Sequence, residues 1–101
     1  METLLSIAHW NKKTFNPSFV EQRDKVKEEY EEYLESFSIE ELADLIISII
    51  GLARFGTPWK RLFRAAILLG SNRFNKGGIY NAVQLKMEIN RQRKWEGQHH
   101  I

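Results

Sequence analysis

The stretch Ser38 to Arg54, SIEELADLIISIIGLAR, decides the fold. Its centre, Leu45-Ile46-Ile47-Ser48-Ile49-Ile50, is apolar nearly all round, which marks the central buried element of the chain. The isoleucines also suit a strand, and periodicity alone does not separate the two in so short a run. The flanks favour a helix: Ser38 followed by Glu41 has capping-box spacing, Glu40-Glu41-Leu42-Ala43 is a helical start, and the length to Arg54 agrees.

Outward from this segment, the punctuation separates further helices. Asn16-Pro17-Ser18, Ser36-Phe37-Ser38, Phe55-Gly56-Thr57-Pro58 and a looser Gly70 to Gly78 stretch act as connections. Pro17 and Pro58 suit first-turn positions, with Asn16 and Thr57 as N-caps. The spacing predicts five helices, at about 2–12, 17–36, 39–54, 58–70 and 79–95. In the second, Phe19, Val26, Tyr30, Tyr33 and Phe37 recur at helical intervals and are assigned to the core. The expected fold is all-α, an antiparallel four-helix-bundle-like single domain over 1–101, with 96–101 a disordered tail.

At 101 residues and 43% hydrophobic content the chain supports one modest core and excludes a two-domain enzyme. The absence of cysteine removes disulfide scaffolds, zinc ribbons and thiol nucleophiles, leaving hard, oxygen-liganded metals. No window approaches the ~18 apolar residues of a membrane span, and METLLSIAHWNKK lacks a small-residue cleavage site, so a cytoplasmic protein without a membrane partner is expected. The net charge of +2 conceals a division. Residues 1–50 hold 5 Lys/Arg against 11 Asp/Glu, a net −6, and residues 51–101 hold 10 against 2, a net +8. The halves either pair with each other or serve cations and a polyanion separately.

Glu28, Glu29, Glu31, Glu32 and Glu35 crowd two turns of the second helix. A solvated face is the simplest account of such a run. Measured from Val26 at about 100° per residue, however, Glu29 falls about 60° and Glu32 about 120° away, flanking the core. Glu41 and Asp44 share a face of the third helix, and Asp44 directly precedes its most apolar run, where a carboxylate needs a partner or a metal. A short turn makes the two helices an antiparallel hairpin, in which level residues share a constant sum of residue numbers. Glu29 with Asp44 and Glu32 with Glu41 satisfy the same sum, so four carboxylates converge at one level. They would repel unless neutralised, and oxygen-only ligands suit Mg²⁺ or Mn²⁺. Glu41 has a capping role as its alternative.

In the last helix Lys86, Asn90 and Arg93 stand at i, i+4 and i+7 and form one polar stripe, with Met87 and Ile89 directed toward packing. Such a stripe can hold a phosphate chain and a sugar or base edge, or simply complement the helix dipole.

Taken in order, these residues resemble the MazG-like nucleotide pyrophosphohydrolases of the all-α NTP pyrophosphatase group. Trp10, Phe15, Gln22 and Lys25 lead into Glu28-Glu29-Tyr30-Glu31-Glu32, which is similar to the family's E-E-x-x-E. Glu41-Leu42-Ala43-Asp44 is similar to its E-x-x-D, and Lys86 to Arg93 to its closing K-x-x-x-N-x-x-R helix. The resemblance implies Mg²⁺ on Glu29, Glu32, Glu41 and Asp44, with Glu28 a lesser candidate, and a nucleotide on Lys86, Asn90 and Arg93. It implies hydrolysis of a nucleoside triphosphate between the α and β phosphates, and assembly as a homo-oligomer, a dimer or tetramer. Within that reaction Glu41 and Glu32 are the catalytic candidates, Glu32 as general base, while Trp10, His9, Phe15 and Gln22 are candidates to stack on or read the base. Only eight residues separate Glu32 from Glu41, fewer than usual in the family, and Gly56 to Gly78 is longer. The latter holds an amphipathic piece with Trp59, Leu62, Phe63, Ala66 and Ile67 opposite Lys60, Arg61 and Arg64, either a subunit-packing helix or a phosphate-binding lid.

Two other classes compete. Arg54, Lys60, Arg61, Arg64, Arg73 and Lys76, interleaved with Trp59 and Phe74, would serve a non-enzymatic nucleic-acid-binding module, against which the acidic first half argues. A helical interaction protein that keeps the fold without catalysis is the third, against which the full set of four carboxylates argues. The adjacent His99 and His100 are not assigned to a metal site.

Overall fold

The computed structural model describes residues 1–56 and 58–93. Its elements are α1 (Leu4–Phe15), α2 (Phe19–Ser36), α3 (Ile39–Ile50), a 3₁₀ turn (Ala53–Phe55), α4 (Trp59–Ser71) and α5 (Lys76–Gln92). Among the described residues there is no strand, and the all-α bundle expected from the sequence is the observed fold. The expected cap Thr57 and the tail 96–101 lie outside the described residues.

The resolution of the 38–54 segment in favour of a helix has its cause at Ser38, whose side chain accepts from the Glu41 amide at 3.1 Å. The reciprocal half of a capping box is missing, because the Ser38 N–H donates to Ser36 Oγ at 3.2 Å. Glu41 is thereby released from capping. The helix stops at Ile50 rather than Arg54: Gly51 caps it, and the chain tightens into the 3₁₀ turn. Other boundaries shift for equally local reasons. Asn16 is the left-handed C-cap of α1, with φ 44°, not the N-cap of α2. That cap is Ser18, in a complete capping box with Glu21, so Pro17 precedes the helix. Asn75, accepting from the Gly78 amide, starts α5 three residues before the expected position.

Helix α3 is the centre of the bundle and packs on the other four helices. Leu42, Ala43, Leu45, Ile46, Ile47, Ile49 and Ile50 are all buried, against Ile7 and Trp10 of α1, Tyr33 of α2, Ala66 and Ile67 of α4, and Ile79, Val83 and Met87 of α5. Gly70 lets α4 approach closely, since a Cβ there would overlap Leu42 and meet Ile79 Cδ1 at 3.2 Å. The N-terminal segment is tied to α5: Glu2 N–H donates to Gln84 Oε1 at 2.7 Å, Gln84 Nε2 donates to the Glu2 carbonyl at 2.8 Å, and the Glu2 carboxylate pairs with Arg91. No helix among the described residues is long and apolar enough to cross a membrane.

The face of α2 that meets the core keeps only Tyr33 and Val26 of the aromatic stripe read from its sequence. Gln22, Glu29 and Tyr33 are buried and Val26 is half-buried, whereas Phe19, Tyr30 and Phe37 are about 40% exposed. The large rings lie at the margins of the contact: Phe37 packs edge-on to Tyr33, and Phe19 edge-on to Phe55. The centre of the face is polar because α2 walls a cleft rather than a solid core. Ile89, expected to pack, is likewise exposed.

Candidate active site

A cleft of about 500 Å³ opens between α1, α2, α3 and α5. Its wall changes character along α3. Asp44, one turn before Ser48, is accompanied by Glu29, Lys25 and Lys86; beside Ile47 and Ser48 stand Gln22, Asn11, Trp10, Phe15 and Pro17. Asn90 and Arg93 extend the lining from α5, so Lys86, Asn90 and Arg93 do share one face of that helix.

At the acidic end, carboxylate oxygens of Glu29, Glu41 and Asp44 lie within 4.8 Å of one another. The antiparallel register of α2 and α3 places them there, and the release of Glu41 from its cap leaves its carboxylate available. Glu32 stands beside Glu41 but outside this group. Glu29 is only 6% exposed and its Oε1 is the one buried side-chain oxygen or nitrogen among the described residues that lacks a hydrogen-bond partner. Its Oε2 pairs with Lys25 Nζ at 2.7 Å, and across the cleft Lys86 Nζ stands 3.5 Å from Asp44 Oδ2.

The charges shift one another. Burial pushes the Glu29 carboxyl above its ordinary value, and the Lys25 ammonium offsets only part of that rise. Burial likewise raises Asp44 against the pull of Lys86. For Glu32 the chief cause is the neighbouring Glu41 carboxyl, which disfavours its ionisation and raises its pKa. Burial lowers Lys25, but the Glu29 carboxylate more than reverses it, so the ammonium form is reinforced. A buried oxygen without a donor, among carboxylates that resist ionisation together, is a donor set short of positive charge. Three hard oxygen ligands fit a divalent cation of the Mg²⁺ or Mn²⁺ type.

The other end is built from aromatics and amides. Trp10 is buried and meets Phe15 edge-on at 5.5 Å. Gln22 is engaged at both ends of its amide: Nε2 donates to the Ser48 carbonyl at 2.7 Å, and Oε1 accepts from Asn11 Nδ2 at 3.0 Å. His9 is exposed and does not line the cleft. Asn11 and Ser48 escaped the sequence reading, having no motif spacing; only the burial of a polar residue on an amphipathic helix could have signalled Asn11. Asn90 is buried and its Nδ2 approaches Met87 Sδ at 3.8 Å.

Of the basic residues outside the cleft, Lys60, Arg61 and Arg64 are exposed on α4. Arg54 bonds Asn16 Oδ1 at 3.2 Å and the Pro17 carbonyl, and Arg73 lies over the Phe37 ring at 4.4 Å. No family model, no curated protein and no solved structure matches the chain.

Proposed function

We propose that the protein is a divalent-cation-dependent nucleoside triphosphate pyrophosphohydrolase that cleaves between the α and β phosphates to give a nucleoside monophosphate and pyrophosphate. The observation that carries this reading is the orphaned, buried Glu29 Oε1 among the oxygens of Glu41 and Asp44. Glu29, Glu41 and Asp44, with Glu32 adjoining, would hold the cation, which would supply charge neutralisation at phosphoryl oxygens and a more acidic water. The ordered carboxylate motifs and the Lys86, Asn90, Arg93 stripe, similar to those of MazG-like enzymes, supply the reaction class. A cytoplasmic role in clearing unwanted nucleotides follows from the same resemblance.

The chain's own side chains then divide the work. Lys86 and Lys25, paired with Asp44 and Glu29, would turn toward phosphate oxygens were a cation to take over their partners. Arg93 adds a planar donor set at the cleft wall. Glu32, half-buried and with its basicity raised beside Glu41, is placed to accept the proton of the attacking water. Trp10 offers an apolar ring to the base.

Homo-oligomer formation belongs to the same proposal and draws support from a second groove. Val26, Tyr30, Leu45, Ile49, Leu62 and Leu69 line a groove of about 490 Å³ formed by α2, α3 and α4, which Arg23 and Lys27 also border. In the nucleic-acid-binding alternative Arg54 and Arg73 would have to leave their contacts with Asn16, Pro17 and the Phe37 ring to meet phosphate.

The deciding experiment is product analysis with ribo- and deoxyribonucleoside triphosphates in Mg²⁺, in Mn²⁺ and in chelator. Metal-dependent release of pyrophosphate with the monophosphate is expected. Release of single phosphate, or no turnover by folded protein on any member, would overturn the reading.

A further inference from the structure

The amides at the aromatic end of the cleft form a chain of fixed polarity. Side-chain amides can ordinarily be turned end for end, but a backbone carbonyl cannot. Ser48 C=O accepts, so Gln22 must present Nε2 to it; Gln22 Oε1 then faces Asn11, which must present Nδ2. The sequence of donors ends at Asn11 Oδ1, which accepts no hydrogen bond from the described residues and belongs to a residue lining the cleft. All three residues are buried, Asn11 at 6%, Gln22 at 3% and Ser48 at 5% exposure, so the arrangement is held by the packing around it. Gly51 makes room for it: a Cβ at that position would stand 2.8 Å from Asn11 Nδ2 and collide with the Gln22 amide.

We propose that Asn11 reads the nucleobase by accepting a hydrogen bond from a base N–H through its fixed Oδ1, with Gln22 as the positioning residue that sets its orientation. The inference rests on the nucleotide reading of the cleft and narrows it to a base that enters with a donor, an amino or ring imide N–H, pointing at Asn11. It also redefines Gln22, whose own oxygen and one N–H are consumed inside the protein. A base presenting only acceptors would cover Asn11 Oδ1, which is open to the cleft, without pairing it, and be rejected.

The test compares kcat/KM for the four common deoxynucleoside triphosphates in wild type and in Asn11→Ala, with Mg²⁺-tripolyphosphate binding as a base-free control. The variant is expected to lose about tenfold to a hundredfold on the preferred base, mainly in KM, and to flatten the ranking of bases, while tripolyphosphate binding is unchanged. A second arm uses wild type alone: an analogue of the preferred nucleotide whose base N–H groups are all replaced by N-methyl should lose a similar factor. That arm stands even if Asn11→Ala fails to fold. An unchanged ranking in the folded variant, or an N-methyl analogue used as well as its parent, would overturn the role of Asn11 alone. Absence of turnover on every member of the ribo- and deoxyribonucleoside triphosphate panel would overturn the hydrolase reading and this inference with it.

Discussion

Lys86 of α5 holds its ammonium group 3.5 Å from Asp44 Oδ2 of α3, across the mouth of the acidic group. With Lys25 on Glu29, the protein carries its own counter-ions at the place proposed for a divalent cation. Cation and lysine therefore compete for the same oxygens. Replacing Lys86 by Met should tighten Mn²⁺ binding in the absence of nucleotide by about 1 kcal/mol, the Coulomb energy of unit charges about 4 Å apart in water. The same substitution should raise KM for the triphosphate by about tenfold or more, since the phosphate loses a charged donor. Calorimetric titration of Mn²⁺ beside steady-state kinetics would show the two effects moving in opposite directions; weaker metal binding in the variant would contradict the competition.

Acidity offers a second test. Glu29 and Asp44 both have pKa values above the ordinary 4.5 and 3.8, so through the window between ordinary and raised values the native chain binds more protons than the unfolded one. Stability must then fall as pH rises through that window, and the whole loss persists above it. The melting temperature of metal-free protein, followed upward from about pH 4, should show this fall, and Glu29→Gln should reduce it. Added Mg²⁺ should restore melting temperature at the upper end of the range more than at the lower, by binding the ionised native site.

Glu29→Gln also separates stability from function. A neutral amide in place of a buried carboxylate with an orphaned oxygen removes a desolvation cost, and about 1 kcal/mol of stabilisation of the metal-free protein is expected at neutral pH. Turnover should be lost together with the Mg²⁺-dependent rise in melting temperature. A variant both less stable and fully active would remove Glu29 from the site.

Gly70→Ala probes the scaffold away from the cleft. The added methyl would overlap Leu42, which is fully buried, and stand 3.2 Å from Ile79 Cδ1, so neither neighbour has space to retreat. A loss of about 1–3 kcal/mol is expected, a fall in melting temperature of about 4–8 °C per kcal/mol for a domain of this size. Unchanged thermal stability would mean that α4 stands further from α3 than described.

The legibility of the sequence followed the strength of each local signal. The α2–α3 hairpin was readable because one short turn ties Glu29 to Asp44 and Glu32 to Glu41, whatever surrounds them. The buried face of α2 was not, because hydrophobic periodicity finds the side that is greasiest. Here that side lies at the margins, where Tyr30 and Phe19 are exposed, while Gln22 and Glu29 turn inward. The double role open to Glu41 needed the competing bond from Ser38 N–H to Ser36 Oγ, which no spacing rule anticipates. Asn11 and Ser48 matter through contacts between residues 11, 22 and 48, far apart in the chain, and through a backbone carbonyl that carries no side-chain signature.

Helix α3 supplies Glu41 and Asp44 to one end of the cleft and Ser48, followed by its cap Gly51, to the other, so it works as a ruler between them. At about 1.5 Å and 100° per residue, inserting or deleting a single residue between Asp44 and Ser48 would swing one end a quarter-turn out of the cleft. The segment is hydrophobic enough to tolerate many exchanges of one aliphatic side chain for another, yet its length admits none. Exchanges that reshape the cleft without moving its two ends are those on α1, α2 and α5, which face the ruler without belonging to it.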